Sequence, residues 1–395
     1  MSDLIRTVYN EFKDRFNEEP LLVESPGRVN FIGDHTDYND GFVLPASIQK
    51  KIVMGVSQNS LNKIRAFSID MNEFVILEIQ NLIKNEKHWV NYIKGVTCEL
   101  IDKGKEINGF DLVFSGDLPI GAGMSSSAAL EGALLVLLNR IFDLNLTRKQ
   151  MAKIGQLTEH KHVGVNCGIM DQFVNLHGMK NKAIKLDCRS LDFEMVPFNS
   201  EDIKIVLCNS KVSHNLASSE YNTRRNQCEE GVRILKKYDP KIMNLRDVSQ
   251  ELLEKNSNEF DEVVYRRCKF VLEENKRVHT ACSHLEEDNF EAFGACMFES
   301  HKGLSKDYEV SCYELDLLVD LARNKKGVYG SRMMGGGFGG CTINLVHKDY
   351  VEKFKQDIQK DYTLKTGIDT EVYVTQIHSG TKIIHKVETE KTQVG

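Results

Sequence analysis

The hydrophobic pattern of the chain predicts an opening helix followed by a mixture of strands and helices. Leu4, Val8 and Phe12 recur at helical spacing in a charged segment, which is typical of an amphipathic helix and not of a signal peptide. Short runs rich in β-forming residues predict strands at residues 52–56, 64–69, 74–79, 110–114, 183–188, 203–208, 341–346 and 371–377. Helical periodicity predicts helices at residues 90–102, 125–142 and 148–162.

The pattern changes in the second half of the chain. Residues 221–323 contain a single proline, Pro240, and carry long helical patterns. A chain of 395 residues is longer than one ordinary hydrophobic core supports. We therefore expect an α+β protein of two lobes, residues 1–205 and 206–395, whose last strand can return to the first lobe. The polar tail at residues 386–395 is expected to fray.

Composition narrows the class of protein. Apolar residues make up 41% of the chain and charged residues 27%, as in a soluble globular protein. The net charge of −6 and the lack of a basic stretch argue against a nucleic-acid partner. No apolar run is long enough to cross a membrane. The ten cysteines are scattered, which indicates reduced thiols in a cytoplasmic protein rather than a disulfide framework or a zinc site.

A polar cluster stands out in the loop predicted at residues 27–45, GRVNFIGDHTDYNDGFVLP. It brings Arg28, Asp34, His35 and Asp37 close together between apolar stretches. A turn needs Gly, Asn or Asp for its backbone, but it needs neither a guanidinium nor a carboxylate beside an imidazole. The cluster is typical of a site for a polar, hydroxyl-rich substrate. A salt-bridged surface loop or a chance Asp/His metal site would also explain it.

A second segment, from Ser115 onward, resembles a phosphate-binding loop. A predicted strand leads into a glycine loop and three serines, and a strongly apolar helix follows. The residues of this loop are Gly121, Ala122, Gly123, Met124, Ser125, Ser126 and Ser127. Unpaired N–H groups and the positive end of the helix dipole meet at such a turn, and both favour a phosphate. No Gly-Lys-Ser/Thr follows, so it is not a Walker A loop, and a well-capped core helix is the alternative.

The glycine-rich segment RMMGGGFGGCTINLV contains a formal G-x-G-x-x-G at Gly335, Gly337 and Gly340. A dinucleotide-binding fingerprint must open a helix, whereas a strand-like run follows here. The Rossmann interpretation therefore fails. The glycines instead suit a tight loop that closely approaches another backbone or a ligand.

The segment at residues 158–178 carries further ionisable groups. His160 and His162 are two apart and would point to different sides of a helix, which argues against a zinc site. Glu159 could serve Mg²⁺, which takes one or two carboxylates together with phosphate oxygens. Asp171 lies in an apolar context, where a buried carboxylate is costly unless it is paired or used. Arg28 is the obvious partner, although Asp171 could also be a helix N-cap.

Five segments in this order resemble the GHMP kinase superfamily and, within it, the galactokinase family. GRVNFIGDHTDYNDGFVLP is similar to the galactokinase signature, and GAGMSSSAAL and MMGGGFGG are similar to two superfamily motifs. CGIMDQF and LASSEYNTRRNQCEE resemble segments of galactokinases and their nearest sugar-kinase relatives. The resemblance covers nearly the whole chain. It implies ATP-dependent phosphorylation of the anomeric hydroxyl of α-D-galactose, giving galactose 1-phosphate in the Leloir pathway.

The resemblance also implies a fold and a set of site residues. The first lobe would be like ribosomal S5 domain 2, and the second would be ferredoxin-like. Asp171 would be the general base, and Arg28 would orient it and stabilise the developing charge. The residues implied for the sugar are Asp34, His35, Thr36, Asp37, Gly168 and Tyr221. Residues 121–127 would wrap the phosphates of ATP, with Ser68 near the nucleotide and with Ser127 and Glu159 on Mg²⁺. We expect a monomer whose partners are the sugar and ATP.

The chain departs from the galactokinase pattern at two positions, and two alternative functions stay open. Galactokinases usually carry Glu where this chain has Asp34, so the carboxylate is retracted by one methylene near the sugar 6-hydroxyl. Ser213, eight residues before Tyr221, stands where relatives often have a basic residue. A related sugar 1-kinase for N-acetylgalactosamine or another aldose is one alternative, and a non-catalytic galactose sensor is the other. The intact serine loop and the presence of Arg28 and Asp171 favour a catalyst.

Overall fold

The computed structural model describes residues 2–82, 86–119, 121–199, 201–213 and 217–384. The tail at residues 386–395 lies outside them, as does the side chain of Ser213. The α-helices are α1 (Asp3–Phe16), α2 (His88–Asp102), α3 (Ser126–Ile141), α4 (Arg148–Thr158), α5 (Met170–His177), α6 (Ala217–Leu235), α7 (Gln250–Lys255), α8 (Glu262–Glu286), α9 (Phe290–Lys306), α10 (Tyr313–Arg323) and α11 (Val351–Thr366).

The strands form three sheets. They are β1 (Leu21–Asn30), β2 (Phe42–Val43), β3 (Pro45–Gln58), β4 (Lys63–Ser68), β5 (Glu73–Glu78), β6 (Phe110–Gly116), β7 (Lys182–Asp187), β8 (Phe193–Pro197), β9 (Ile203–Ser213), β10 (Val328–Met333), β11 (Gly339–His347), β12 (Glu371–Thr375) and β13 (Lys382–Ile384). The largest sheet has the order β13-β1-β3-β6-β4-β5, and the others have the orders β10-β11-β9-β12 and β2-β7-β8. Among the described strands, every pairing is antiparallel except that of β4 with β6.

The six-stranded sheet is covered on both faces. The amphipathic helix α1 buries Ile5, Val8 and Phe12 against one face, and the predicted Leu4 packs at the edge of this cluster. Helix α3 packs against β1 and β3 on the other face, together with α2, α4 and α5. Because α3 is apolar on nearly every side, it is a buried helix. Its first turn thereby lies at a fixed place beside the end of β1.

Each predicted strand and helix corresponds to an observed one, but the loop predicted at residues 27–45 is partly wrong. Its first residues belong to β1, a central strand that is buried on both faces and therefore shows no hydrophobic alternation. Pro26 and Gly27 further obscure the strand signal, and the pairing with β3 shifts register between Pro26 and Arg28. The helix predicted at residues 148–162 ends as α4 at Thr158, and a π-helical turn follows at Glu159–Val163.

The assignment of β9 and β13 to different sheets can be compared with the predicted division of the chain into two lobes. Strand β13 pairs with β1, so the end of the described chain lies in the six-stranded sheet. Strand β9 belongs to the four-stranded sheet, and the predicted boundary after residue 205 falls inside it. We therefore propose that the division lies before Ile203. No helix among the described residues is long and apolar enough to span a membrane.

Candidate active site

A polar cavity of about 270 Å³ lies where the end of β1, the start of α5 and the loop between β10 and β11 meet. It collects most of the residues that the sequence predicted for a sugar. Its walls are formed by Arg28, Asp34, His35, Asp37, Tyr92, Ser127, Glu159, Val165, Cys167, Gly168, Met170, Asp171, Gln172, Tyr221, Gly335 and Gly336. Since Arg28, Asp34, His35 and Asp37 are buried, the surface-loop interpretation of the first cluster is wrong.

Arg28 and Asp171 form a two-pronged ion pair at this cavity. Arg28 Nε donates to Asp171 Oδ1 and Arg28 Nη2 to Asp171 Oδ2, each at 2.8 Å. The arginine side chain is 6% exposed and the aspartate side chain 29%, so the pair is shielded on the arginine side and open on the other. Asp171 lies in the first turn of α5, where the helix dipole also favours a negative charge.

The same arginine reaches the predicted phosphate loop. Arg28 Nη1 donates to the carbonyl of Gly123 at 2.5 Å, and the Ser125 hydroxyl donates to Asp171 Oδ2. The backbone N–H of Arg28 donates to the Met124 carbonyl at 3.1 Å. A Cβ on Gly27 would lie 2.7 Å from that carbonyl, so only glycine permits this approach. β1, the loop and α5 therefore converge on one carboxylate.

The loop has the geometry expected of a phosphate cradle. Gly121 and Gly123 have φ of +74° and +72°, and Ser125 has a φ of 58° just before α3 begins at Ser126. A positive φ is unusual for serine and is a feature of functional turns. Apart from its neighbours in the chain, no described residue has an atom within 4 Å of a Cβ built on Gly121, so there is open space above the loop. The unpaired N–H groups at the start of α3 lie at its base.

Glu159 and Ser127 supply oxygen atoms beside this loop. Burial raises the pKa of Glu159 to about 7, a hydrogen bond from Ser127 opposes the shift, and the charge of Asp171 adds to it. In the described part of the chain no cationic side chain offsets the charge of Glu159. A buried carboxylate and a hydroxyl are hard oxygen donors, and they fit a Mg²⁺ ion that takes its other ligands from water and phosphate.

A second cavity of about 480 Å³ adjoins the polar one and shares Tyr92 and Ser127 with it. Its walls are largely apolar and include Ile52, Trp89, Phe114, Leu118 and Leu130. Ser68 also lines it, and its buried hydroxyl has no hydrogen-bond partner within the described structure. The cavity is suited to a flat, partly polar group such as a nucleotide base.

The sequence predictions missed Trp89 and Tyr92. Both lie at the start of α2, and Trp89 Nε1 donates to Glu73 Oε2 at 2.6 Å. Trp89 is the only tryptophan of the chain, which was the available signal.

Asp37 and Gly168 are in contact in the wall of the polar cavity. A Cβ on Gly168 would lie 2.0 Å from Asp37 Cγ, so the two residues fit only because position 168 is glycine. The backbone N–H of Tyr38 donates to Asp37 Oδ1 at 3.0 Å. Burial raises the pKa of Asp37 to about 7, and the negative charge of Asp171 adds to this.

His35 and Tyr221 form an aromatic wall. Burial lowers the pKa of His35 to about 3, so the ring is neutral. His35 Nε2 is 3.2 Å from the Gly336 carbonyl, which can only accept, and Nδ1 therefore accepts from the Tyr38 hydroxyl at 2.8 Å. The ring centroid of Tyr221 is 5.3 Å from that of His35. Both ring nitrogens are engaged, so His35 offers the cavity a shaped wall rather than a free polar atom.

Asp34 lines the cavity but is bound to the protein through both carboxylate oxygens. Asn30 Nδ2 donates to Oδ1 at 2.9 Å, and Oδ2 accepts from Arg332 and from the backbone of Gly335. Arg332 was missed by the sequence predictions because its partner is 298 residues away.

Thr36 is the predicted sugar residue that the structure does not bring to the cavity. It is fully buried, and its hydroxyl lies 2.8 Å from the Gly33 carbonyl and 2.6 Å from the Phe42 carbonyl. Because one hydroxyl proton is shared between these acceptors, Thr36 holds the turn after β1. The contact of Thr36 with the sugar stays a prediction, which this use of its hydroxyl does not support.

Comparison with known proteins identifies the family. The family model "Galactokinase galactose-binding signature" matches residues 10–58, "GHMP kinases N terminal domain" matches residues 91–179, and "GHMP kinases C terminal" matches residues 283–364. Galactokinase of Clostridium perfringens (strain ATCC 13124) is 41% identical over 382 residues, which cover 95% of this chain and 98% of that relative. The chain belongs to the galactokinase family. Galactokinase of Roseiflexus sp. (strain RS-1) is 37% identical over 94% of this chain and 96% of its own length.

Solved structures agree with this membership. The crystal structure of Lactococcus lactis galactokinase complexed with galactose matches with a TM-score of 0.91 and 36% identity, over 95% of this chain and 98% of that one. A mevalonate kinase matches with a TM-score of 0.60 at 18% identity over 91% of this chain, which shows a shared fold. The predicted two-lobed GHMP kinase fold of the α+β class is confirmed.

The contact between Gly168 and Asp37 gives a first prediction. In a Gly168→Ala variant the new Cβ displaces the Asp37 carboxylate, because that contact leaves no room for it. Overpacking of this kind costs about 1–3 kcal/mol of the free energy of unfolding, so the variant is expected to melt a few degrees below the wild type. Thermal unfolding followed by circular dichroism measures the change. An unchanged melting temperature would contradict the tight contact.

Proposed function

We propose that this chain transfers the γ-phosphoryl group of ATP to the anomeric hydroxyl of α-D-galactose, giving galactose 1-phosphate and ADP in the Leloir pathway. The similarity to galactokinases over nearly the full length of the chain supports this class of reaction. The observation that carries the mechanism is the Arg28–Asp171 pair, which faces the polar cavity and is bonded to the phosphate loop. A hydroxyl in the cavity and a phosphate on the loop would therefore meet beside one carboxylate.

Asp171 is proposed as the general base. Its carboxylate would accept the proton of the anomeric hydroxyl as the oxygen attacks the γ-phosphorus. The two hydrogen bonds from Arg28 fix the orientation of the carboxylate, and the guanidinium stabilises negative charge that develops on the transferring group. Phosphoryl transfer needs positioning and charge neutralisation more than covalent help, and this pair supplies both.

The nucleotide is proposed to lie across the second cavity and the phosphate loop. Trp89 and the neighbouring apolar side chains would hold the base, and Ser68 offers a hydroxyl there. The backbone of residues 121–127 and the start of α3 would bind the phosphates. Ser127 and Glu159 would hold Mg²⁺, which when bound neutralises charge on the phosphate oxygens.

The sugar is proposed to lie in the polar cavity. Asp37 is buried and has no cationic partner among the described residues, so its carboxylate can accept hydrogen bonds from sugar hydroxyls. Gly168 lines the cavity and leaves room for the Asp37 carboxylate, and Tyr221 and His35 shape one side. Asp34 lies at the wall formed with Gly335, with its carboxylate shared between the protein and the cavity.

A kinase for another aldose and a non-catalytic sensor remain as alternatives. The Arg28–Asp171 pair and its bond from Ser125 argue against a sensor, because a binding protein has no need of an oriented base. An ADP-release assay with galactose, N-acetylgalactosamine, glucose and arabinose separates these functions. Galactose is expected to be the best substrate. Preference for another sugar would establish the first alternative, and ATP binding without turnover on any sugar would establish the sensor.

We also propose a cytoplasmic monomer that uses ATP and Mg²⁺. All ten cysteines are free, as expected for a protein in a reducing compartment. Light scattering coupled to gel filtration tests the monomer.

Replacing the proposed base gives the second prediction. Asp171→Asn removes the proton acceptor but keeps the side-chain shape, so kcat should fall on the order of 10²-fold or more. Calorimetric Kd values for galactose and ATP should stay within a few-fold of the wild type. Turnover close to that of the wild type would rule out the assignment of Asp171.

The third prediction concerns pH. The pKa of Asp37 is raised to about 7, so the carboxylate is lost as the pH falls through that value. If the ionised form accepts sugar hydroxyls, the KM for galactose should be about tenfold higher at pH 6 than at pH 8. Asp37→Asn is the matched control, since it should have a higher KM that varies little with pH. An identical pH dependence in both proteins would assign the effect to another group.

A further inference from the structure

We propose that Arg332 is a positioning residue for the sugar, acting through its buried ion pair with Asp34. The pair holds the glycine-rich loop between β10 and β11 against the end of β1 and so fixes one wall of the sugar cavity. This inference rests on the proposed function to the extent that the polar cavity holds the sugar.

Arg332 is anchored at two points of the segment that follows β1. It lies on β10 and has no exposed surface. Arg332 Nη2 donates to Asp34 Oδ2, and Arg332 Nη1 donates to the Phe31 carbonyl at 2.8 Å. One guanidinium thereby joins the four-stranded sheet to the turn that carries Asp34, His35 and Asp37.

The loop that follows Arg332 depends on these anchors. Gly335 and Gly336 line the cavity, and Gly335 and Gly337 have φ of +81° and +85°. Glycines restrict a backbone little, so contacts from outside must select the conformation of the loop. The Gly335 N–H donates to Asp34 Oδ2 at 3.3 Å, and the Gly336 carbonyl accepts from His35. Asp34 therefore binds both Arg332 and the loop through the same oxygen.

Stability alone does not account for this pair. Burying two charges costs solvation energy, and an apolar pair of similar size is often as stable or more stable. The Nε of Arg332 is buried and has no hydrogen-bond partner within the described structure, so the arginine is not even fully satisfied. A two-pronged donor does, however, set the distance and angle between two segments in a way that apolar contacts do not.

The pair also gives a reason for aspartate at position 34. Both oxygens of Asp34 already have protein partners, and its side chain is 2% exposed. A glutamate would bring an additional methylene into this closed space. Asp34 thus acts on the sugar together with Arg332. The pair, rather than the length of one acidic side chain, fixes the position of this wall of the sugar cavity.

The test compares Arg332→Met, Asp34→Asn and the double variant in the full chain. Arg332→Met should raise the calorimetric Kd for galactose tenfold or more and leave the Kd for ATP within about twofold. The effects on galactose binding should be less than additive in the double variant, because each single change breaks the same unit. The double variant also carries no unpaired buried charge, so it should recover part of the melting temperature lost in the single variants.

Arg267→Met is the matched control. Arg267 is likewise buried and paired with a carboxylate, that of Glu309, but it does not line the cavity. It should lower the melting temperature and leave the Kd for galactose within about twofold. Arg332→Lys keeps the charge but not both contacts, so it should restore galactose binding in part.

Three outcomes would overturn the role of Arg332. They are an unchanged Kd for galactose in Arg332→Met, equal losses of galactose and ATP binding, and strictly additive effects in the double variant. If Arg332→Met does not fold, the double variant is compared with Asp34→Asn instead. These two variants should then have the same Kd for galactose. Failure of the proposed function is a separate result, namely wild-type protein that binds galactose without phosphorylating it.

Discussion

The site depends first on the ion pair between Arg28 and Asp171. One guanidinium contacts the carboxylate at the start of α5 and the carbonyl of Gly123 in the phosphate loop, and its own backbone binds Met124. A buried arginine with fewer partners would be costly, so β1, the phosphate loop and α5 must keep their relative positions for the fold to be stable. The same constraint places the proposed base next to the predicted phosphate loop.

A second constraint is the burial of carboxylates that have no cationic partner in the described part of the chain. Burial near Asp171 raises the pKa values of Asp37 and Glu159 to about 7. Such groups destabilise the ligand-free protein, and they gain partners when hydroxyls or a metal ion bind. Asp34 is paired with Arg332 instead, and it therefore organises the wall of the cavity.

The sequence indicated which side chains come together better than it indicated the local structure. Arg28, Asp171 and the serine loop carry residue types that are hard to explain except by a reaction, and the structure brings them together. The sequence could not reveal β1 as a strand, since a strand buried on both faces has no alternation of apolar and polar residues. Nor could the sequence pair Arg332 with Asp34, because the two residues are far apart in the chain. It also could not show that the hydroxyl of Thr36 bonds to its own turn, because the backbone there is irregular.

The most direct test of the central claim is the position of the transferred phosphate. Wild-type protein, ATP, Mg²⁺ and galactose labelled with ¹³C at carbon 1 are followed by ³¹P NMR. The predicted result is a sugar phosphate whose phosphorus couples to the labelled carbon, because Asp171 activates the anomeric hydroxyl beside the phosphate loop. A phosphate on another carbon, or the release of inorganic phosphate alone, would contradict this arrangement of base, sugar and nucleotide.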